Sequence, residues 1–455
     1  MKILRALFRS KGGIHPAHHK RATEAMPVES MPLAKVLFVS MVQHMGAPAR
    51  PVVKKGDAVM RGQVLGEAGG YVSAPVHAPT SGKVIAINER PTQAGLPAAC
   101  VEIEPDGEDR WDTALQPCPD WKTMEAKSLV ERIVAAGIVG MGGAGFPTHV
   151  KLSPPAGKTI DTLIINGAEC EPYLTADQRL MVEAPQSVWT GAQIVWQILG
   201  ARRLVVAIEN NKPDAIQAMR TSMQATDAEL VVLKTEYPQG AEKQLIYAVT
   251  GREVPSGGLP MAVGALVENV GTCSAIYDAI TEGHPLTERI VTVTGAMVPT
   301  PKNLRVRIGT PLADLVAFCG GMVGQPGKIV CGGPMMGLAQ GSLEATVTKT
   351  TSGVVLLPRQ AVQQFSSMPC ISCGRCVAAC PMRLMPNTLS EMIEAEDYKS
   401  VEGLDVMDCI ECGACAYECP AHRPLVQHLR RAKSEIQKMI REKELKRKGA
   451  ETEKG

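Results

Sequence analysis

Eight cysteines near the C-terminal end carry the clearest chemistry in this chain. Cys370, Cys373, Cys376 and Cys380 precede Pro381, and Cys409, Cys412, Cys415 and Cys419 precede Pro420. Both runs read C-x2-C-x2-C-x3-C-P, a spacing with which thiolates hold [4Fe–4S] clusters. Three thiolates so spaced wrap one face of a cubane. The fourth, beside its proline, ligates the cluster of the other run. The expected sets are Cys370, Cys373, Cys376 and Cys419 for cluster one, and Cys409, Cys412, Cys415 and Cys380 for cluster two. Zinc would ask for two CxxC pairs separated by a long spacer, or for mixed Cys and His ligands, and neither pattern is present. Two low-potential clusters move electrons.

A second stretch with chemical content is Gly140-Met141-Gly142-Gly143-Ala144-Gly145-Phe146-Pro147-Thr148, with Lys151 just beyond. Glycines let backbone N–H groups approach a phosphate or a flat ring closely, and lysine neutralises phosphate. A tight turn is the plainer use of such a loop. The pattern is not G-x-x-x-x-G-K-[ST], so phosphoryl transfer has no support.

Several elements must position these residues. From about 120 to 285, helical and strand patterns alternate. Helices are expected at Leu129 to Gly140, Pro185 to Leu199, Pro213 to Met223 and Ala241 to Val249. Strands are expected at Thr162 to Asn166, Leu204 to Ile208 and Glu229 to Leu233. This alternation argues for an α/β sheet, which binds ligands at the carboxyl ends of its strands. Residues 27 to about 105 read as short strands punctuated by glycine. Residues 290 to 345 add a small α+β pattern, Ser352 to Ser367 reads as a linker, and Pro386 to Tyr398 as a helix between the cysteine runs.

Composition narrows the class. The chain has 455 residues, enough for several domains, and its formal net charge of +2 argues against general nucleic-acid binding. The six cysteines outside the runs (Cys100, Cys118, Cys170, Cys273, Cys319 and Cys331) show no framework spacing, which suits a reducing compartment. No window has the roughly eighteen apolar residues of a spanning helix, and the first residues do not read as a signal peptide, so a soluble chain is expected. Gly (43) and Pro (33) are abundant, which predicts many loops and backbone-lined sites. From Arg430 to Lys448 there are nine Lys or Arg against three Glu. Leu429, Ala432, Ile436, Met439, Ile440 and Leu445 fall on one helical stripe there, as in a basic amphipathic helix that could lie on a bilayer or a partner.

Taken with their residues, these parts carry resemblances. The segment with Val52 to Ala68 and Ala74 to Glu89 resembles the two half-repeats of a lipoyl or biotinyl-type barrel-sandwich domain. Its tip, Gly69-Gly70-Tyr71-Val72, lacks the carrier lysine, so a docking or structural domain is expected. The 290–345 pattern resembles the β-grasp, or soluble-ligand-binding, domain. Five motifs complete a set. They are Gly12-Gly13-Ile14-His15-Pro16, the 142–148 loop, Pro255-Ser256-Gly257-Gly258-Leu259-Pro260, Gly332-Gly333-Pro334-Met335-Met336-Gly337, and the paired cysteine runs. In this order the whole resembles the C subunits of Rnf complexes, membrane-bound ion-translocating NADH:ferredoxin oxidoreductases.

The α/β part is also similar to the NADH- and FMN-binding subunit of respiratory complex I. That family's G-R-G-G-A-G-F-P-T-G-L-K loop is matched at Gly140, Gly142, Gly143, Gly145 and Lys151, with Met141 in place of arginine. Its N-A-D-E-G-E-P segment is matched at Asn166, Glu169, Glu171 and Pro172, with Ala168 in place of aspartate. Its G-E-E segment leaves Glu242, and its N-N-V-E-T segment appears as Glu268-Asn269-Val270-Gly271-Thr272. The resemblance implies FMN held by Gly140, Gly142, Gly143, Gly145, Lys151, Asn166, Asn269 and Thr272. It implies NADH as substrate, with Glu169 and Glu242 on the nicotinamide side. The plainer reading of these two is a solvated or capping carboxylate. No acid–base residue is required. His15, His18 and His19 are read as structural or surface residues.

The fold class implied is multidomain α/β and α+β. It comprises an N-terminal arm (1–26), a barrel-sandwich hybrid domain (27–115), a complex I NADH/FMN-subunit-like α/β domain (116–285), and a β-grasp domain (286–350). A two-cluster ferredoxin-like helical domain (360–428) and a basic helical tail (429–455) follow. The implied partners are NAD(H), the integral membrane subunits and ferredoxin-like B subunit of an Rnf complex, and ferredoxin indirectly. The implied place is the cytoplasmic side of the inner membrane, as a peripheral protein. Two other readings are a cobalamin reductase-like flavin and Fe–S protein, and a cluster-carrying relay subunit that binds no nucleotide.

Overall fold

Near-continuous apolar runs build a parallel sheet buried on both faces. The structure, a computed structural model, describes residues 2–6, 12–114, 116–155, 157–366 and 368–452. Five strands pair in the order Lys2–Arg5, Glu229–Leu233, Arg203–Glu209, Thr162–Gly167 and Ala265–Asn269, all parallel. Thr162–Gly167 and Arg203–Glu209 are almost wholly buried. Helices Ala126–Ala135, Ala176–Glu183, Pro185–Leu199 and Val270–Tyr277 contribute to the larger core on one face, and Glu242–Thr250 to that on the other. Pro185 opens its helix and left-handed Gly200 closes it. From Thr162–Gly167, successive strands run outward on one side, and Ala265–Asn269 lies on the other. The direction reverses between these two strands, and a ligand crevice in such sheets lies at that reversal.

Several expectations are corrected. The helix placed at Leu129 to Gly140 spans Ala126–Ala135 instead, because residues 138–147 fold back as a loop held by the Gly140 N–H to Phe146 carbonyl bond of 2.8 Å. Lys2–Arg5, placed in an arm, is the sheet's edge strand, and Val28–Ser30 pairs with Lys302–Arg307 in a second sheet. The stretch read as a linker from Ser352 contains Gly353–Leu357, a fully buried strand inside that six-stranded sheet, because its apolar run pairs on both edges. The strand Ala265–Asn269 and the helices Ala176–Glu183 and Val270–Tyr277 were not anticipated.

The glycine-punctuated segment forms a four-stranded and a three-stranded sheet that enclose a small apolar core including Val39, Leu65, Val76 and Ile103. In the cluster domain, Pro386–Glu394 and Tyr398–Glu402 pack on the long helix Leu425–Thr452. The amphipathic stripe is corrected in turn. Leu429, Ala432 and Ile436 are buried in the cluster domain's own core, while Ile440 and Leu445 are exposed. Among the described residues no helix is long and apolar enough to cross a membrane.

Candidate functional site

The glycine loop lies at the reversal point of the parallel sheet. Asn166 and Asn269, at the ends of adjacent strands, are register partners. Asn269 caps the following helix by accepting from Gly271 N–H at 2.8 Å, and its Nδ2 donates to Asp177 Oδ2 at 2.8 Å. Thr272 Oγ1 accepts from Met141 N–H at 2.9 Å and fixes the loop on that helix. A Cβ at Gly142 would sit 3.3 Å from the Asn269 Cβ. Gly143 has φ +117°, and a Cβ there would meet no described atom within 4 Å. The loop thus turns bare, exposed backbone toward open space. That is the cradle a flat ring or phosphate needs and a side chain would fill.

Two carboxylate networks flank the loop. Lys151 Nζ donates to Glu242 Oε1 at 3.2 Å and to the Val267 carbonyl at 2.8 Å. Burial opposes the Lys151 charge, but Glu268 and Glu242 outweigh it and raise its pKa. Glu268 is 1% exposed, and neither of its oxygens has a hydrogen-bond partner among the described residues. Burial pushes it up to about 7, against the pull of Lys151. On the other side, Glu169 accepts from Asp177 N–H at 2.7 Å and from Gln178 N–H at 3.2 Å, capping the helix Ala176–Glu183. Burial, with the Glu169 charge beside it, pushes Asp177 up to about 7. Glu169 therefore does the capping work of its plainer reading, whereas Glu242 is partly exposed beside Lys151. Asn166 Nδ2 donates to the Gly240 carbonyl at 2.9 Å, which ties the strand end to the turn before Glu242.

The barrel-sandwich segment is riveted to this loop. Met45 N–H donates to the Gly145 carbonyl at 2.9 Å, and a Cβ on Gly145 would strike Thr350 Cγ2 at 2.6 Å. Lys349 is fully buried and donates to the carbonyls of Pro75 (2.6 Å) and Gly137 (2.7 Å). With no anion to offset its burial, its pKa falls to about 7. His149, three residues beyond Phe146, approaches the Tyr71 carbonyl at 3.1 Å and meets the Tyr71 ring edge-on, with centroids 6.0 Å apart.

In the cluster domain, one cavity is lined by Cys370, Cys373, Cys376 and, from the other run, Cys419. Among the described residues no His, Cys, Asp or Glu group closes on a point as ligands of one ion would; these four thiols surround a space. Burial raises the Cys409, Cys412 and Cys415 thiols, and Cys380 adds to the shift in each. The runs repeat one local geometry. Ser372 N–H donates to Cys370 Sγ and Glu411 N–H to Cys409 Sγ, both at 3.4 Å, with φ of +54° and +57° at the donors. Such amide bonds to sulfur tune cluster potential. Cys373 is exposed, whereas Cys380, Cys412 and Cys415 are buried.

A junction that sequence reasoning missed connects loop and clusters. Tyr237 Oη donates to the Cys412 carbonyl at 2.6 Å. Ile14 pairs with Tyr237 by backbone bonds of 2.8 and 2.9 Å, and Gly13 N–H donates to the Ala379 carbonyl at 2.9 Å. The 12–16 motif is therefore a strap between the two domains. Cys170 joins the same apolar cluster as Ile14, Tyr237, Cys412 and Met335, and its Sγ accepts from Gly240 N–H at 3.4 Å. Glu171 accepts from Met335 N–H (3.0 Å) and Met336 N–H (2.8 Å), and burial pushes it up to about 7. The buried Lys20 amine, its pKa lowered by burial, donates to the carbonyls of Glu169 (2.9 Å), Glu171 (3.0 Å) and Leu174. The motifs at 12–16, 166–172 and 332–337 thus meet around the buried cluster loop.

Comparison with known proteins matches these segments one by one. Residues 8–108 match the family model described as RnfC barrel sandwich hybrid domain, 133–278 the Nuo51 FMN-binding domain, 290–339 the SLBB domain, and 369–423 the 4Fe-4S dicluster domain. The chain is 48% identical over 426 residues to the C subunit of the proton-translocating ferredoxin:NAD(+) oxidoreductase complex of Clostridium ljungdahlii, covering 93% of each chain. The chain belongs to the RnfC family, the C subunits of ion-translocating oxidoreductase complexes. The corresponding protein of the sodium-translocating complex of Acetobacterium woodii is 45% identical, with 94% of this chain and 96% of that protein covered. That of the ion-translocating complex of Rhodobacter capsulatus is 44% identical, with 94% and 83% covered. An RnfC protein is a component of a multi-subunit complex, and this one carries both an FMN-binding domain and a two-cluster iron–sulfur domain. These matches do not favour the cobalamin reductase reading.

Proposed function

We propose that this protein exchanges a hydride with NAD(H) at FMN and relays the electrons singly through two [4Fe–4S] clusters. The single observation that carries the reading is the Tyr237–Cys412 junction, which packs the glycine-loop domain directly on the buried cysteine run. FMN supplies the change from two-electron to one-electron chemistry. Gly142 and Gly143, exposed, would offer backbone donors to it, while Gly140 and Gly145 would shape the loop through their own bonds to the Phe146 and Gly140 carbonyls. Lys151 would supply a countercharge, and Asn166, Asn269 and Thr272 the strand-end and helix-start frame. Glu242 lies on the nicotinamide side. Glu169 acts from behind, by holding the Asp177–Asn269 pair in place.

In this reading Cys409, Cys412, Cys415 and Cys380 would hold the cluster on the side of the junction with the glycine-loop domain, where Cys412 meets Tyr237. Cys370, Cys373, Cys376 and Cys419 would hold the other, which would pass electrons to the next carrier, because Cys373 is exposed. The protein sits peripherally on the cytoplasmic side of the inner membrane, held by integral subunits and beside a ferredoxin-like B subunit, with ferredoxin reached indirectly. NADH-dependent reduction of a one-electron dye by the purified, cluster-loaded chain tests the proposal. Activity that disappears when FMN is stripped and returns with FMN supports it. A chain that carries clusters, takes up no flavin and ignores NADH is a relay alone.

A further inference from the structure

The tip of the barrel-sandwich domain is where a carrier protein of this fold would place its modified lysine. Here the tip carries Tyr71, and it is pressed against the glycine loop. The tip is rigid. Ala47 N–H donates to the Val72 carbonyl at 2.9 Å, Gly69 N–H to Ser73 Oγ at 2.9 Å, and Ser73 Oγ to the Ala47 carbonyl at 2.8 Å. It is fixed to the loop through the Met45–Gly145 bond and the His149–Tyr71 contact. Yet Tyr71 is 67% exposed. The chain has only 7 tyrosines and 5 phenylalanines. An exposed aromatic ring on a hydrogen-bonded tip beside a ligand crevice suits stacking on a flat base, because it has only two side-chain torsions to lose when it does so.

The two ends of the loop divide the labour. Gly142 abuts Asn269 at the strand ends, the crevice assigned above to the flavin, and there the nicotinamide must lie for hydride transfer. Gly145 and His149 abut the tip, away from the strand ends. A dinucleotide whose nicotinamide lies at the first end has its adenine left to find a wall. We infer that Tyr71, presented by the barrel-sandwich tip, is a stacking wall for the adenine ring of the nicotinamide dinucleotide. The domain then completes the nucleotide site. It rests on the proposed NADH chemistry and adds the residue that selects a dinucleotide over a mononucleotide.

The test compares Tyr71→Ala, Tyr71→Phe and the unaltered chain, each loaded with FMN and clusters, using NADH, reduced nicotinamide mononucleotide and ADP-ribose as probes. Tyr71→Ala should raise KM for NADH and Kd for ADP-ribose about tenfold, as loss of one base–aromatic stack does. It should leave FMN content, cluster spectra and turnover of reduced nicotinamide mononucleotide unchanged. Tyr71→Phe should stay near the unaltered values. An unchanged Kd for ADP-ribose in Tyr71→Ala overturns the inference. Loss of FMN, or an equal loss with the mononucleotide, overturns it too, by placing the ring against flavin or nicotinamide instead. If the unaltered chain itself ignores NADH, the proposed function fails first, and that outcome is read before any variant.

Discussion

Tyr237 Oη donates a 2.6 Å hydrogen bond to the backbone carbonyl of Cys412, from the turn that precedes Gly240 and Glu242 to the loop of the second cysteine run. One side chain thus links the nucleotide-facing domain to the buried cluster. Its phenol is almost fully buried, so the bond is not traded for water. Tyr237→Phe leaves a buried carbonyl without its partner, which costs about 1–3 kcal/mol. Thermal unfolding of the cluster-loaded variant should fall accordingly, and the signal of the cluster held by the second run should shift. A variant with unchanged stability and spectrum would make the contact incidental.

Crossed ligation gives the second prediction. Cys419 lines the cavity of the first run, and Cys380 neighbours Cys409, Cys412 and Cys415. Cys380→Ser should damage the cluster of the second run, and Cys419→Ser that of the first. Paramagnetic resonance on the two variants should lose different signals. Each variant losing its own run's cluster would reverse the assignment.

Gly143→Val combines two effects. At φ +117° any side chain is strained, at a cost of order 1–3 kcal/mol, and the added atoms enter the open cradle. FMN content should drop by more than tenfold while iron and sulfide stay in place. Full FMN occupancy in a folded variant would move the flavin elsewhere.

Much of this site was legible in the sequence because its chemistry is local. The cysteine runs, the glycine loop and the Asn166 and Asn269 segments each announce themselves within a dozen residues. Pro185–Leu199 and Glu229–Leu233 fall where periodicity puts them. What stayed hidden depends on contacts between distant segments. Nothing near Tyr237 marks a bond to Cys412, 175 residues away. Nothing near Lys349 marks carbonyls at Pro75 and Gly137. Gly353–Leu357 is too short to be told from a connector by pattern alone. The tail's apolar stripe was visible, but not that three of its members face the chain's own core.

Titration of Glu268 supplies a stability prediction. Burial raises its pKa to about 7 in the folded chain, well above an ordinary glutamate. The folded state therefore holds a proton that the unfolded state has lost. This contribution is fully present below the unfolded pKa and fades as pH rises through about 7, at up to about 1.4 kcal/mol per pH unit. Glu268→Gln keeps the shape and removes the titration. Its stability relative to the unaltered chain should improve steadily between pH 5 and 7 and then level off. A gap independent of pH would show that Glu268 stays ionised.

The helix Leu425–Thr452 is a pillar of the cluster domain before it is a surface. Leu429→Ala should destabilise that domain by about 2–5 kcal/mol, as core leucine truncations do. Removing residues from Glu442 onward should leave cluster content intact. Equal cluster loss in both would extend the pillar to the exposed end.

The central claim is that one chain takes electrons from a nicotinamide and passes them to its clusters. The most direct measurement mixes the anaerobic, FMN- and cluster-loaded chain with NADH and follows flavin absorbance in a stopped-flow cell. The account predicts about one FMN and about eight irons per chain, with a flavin band that bleaches on mixing. A brown, flavin-free protein, or a bound flavin that NADH leaves yellow, would contradict it.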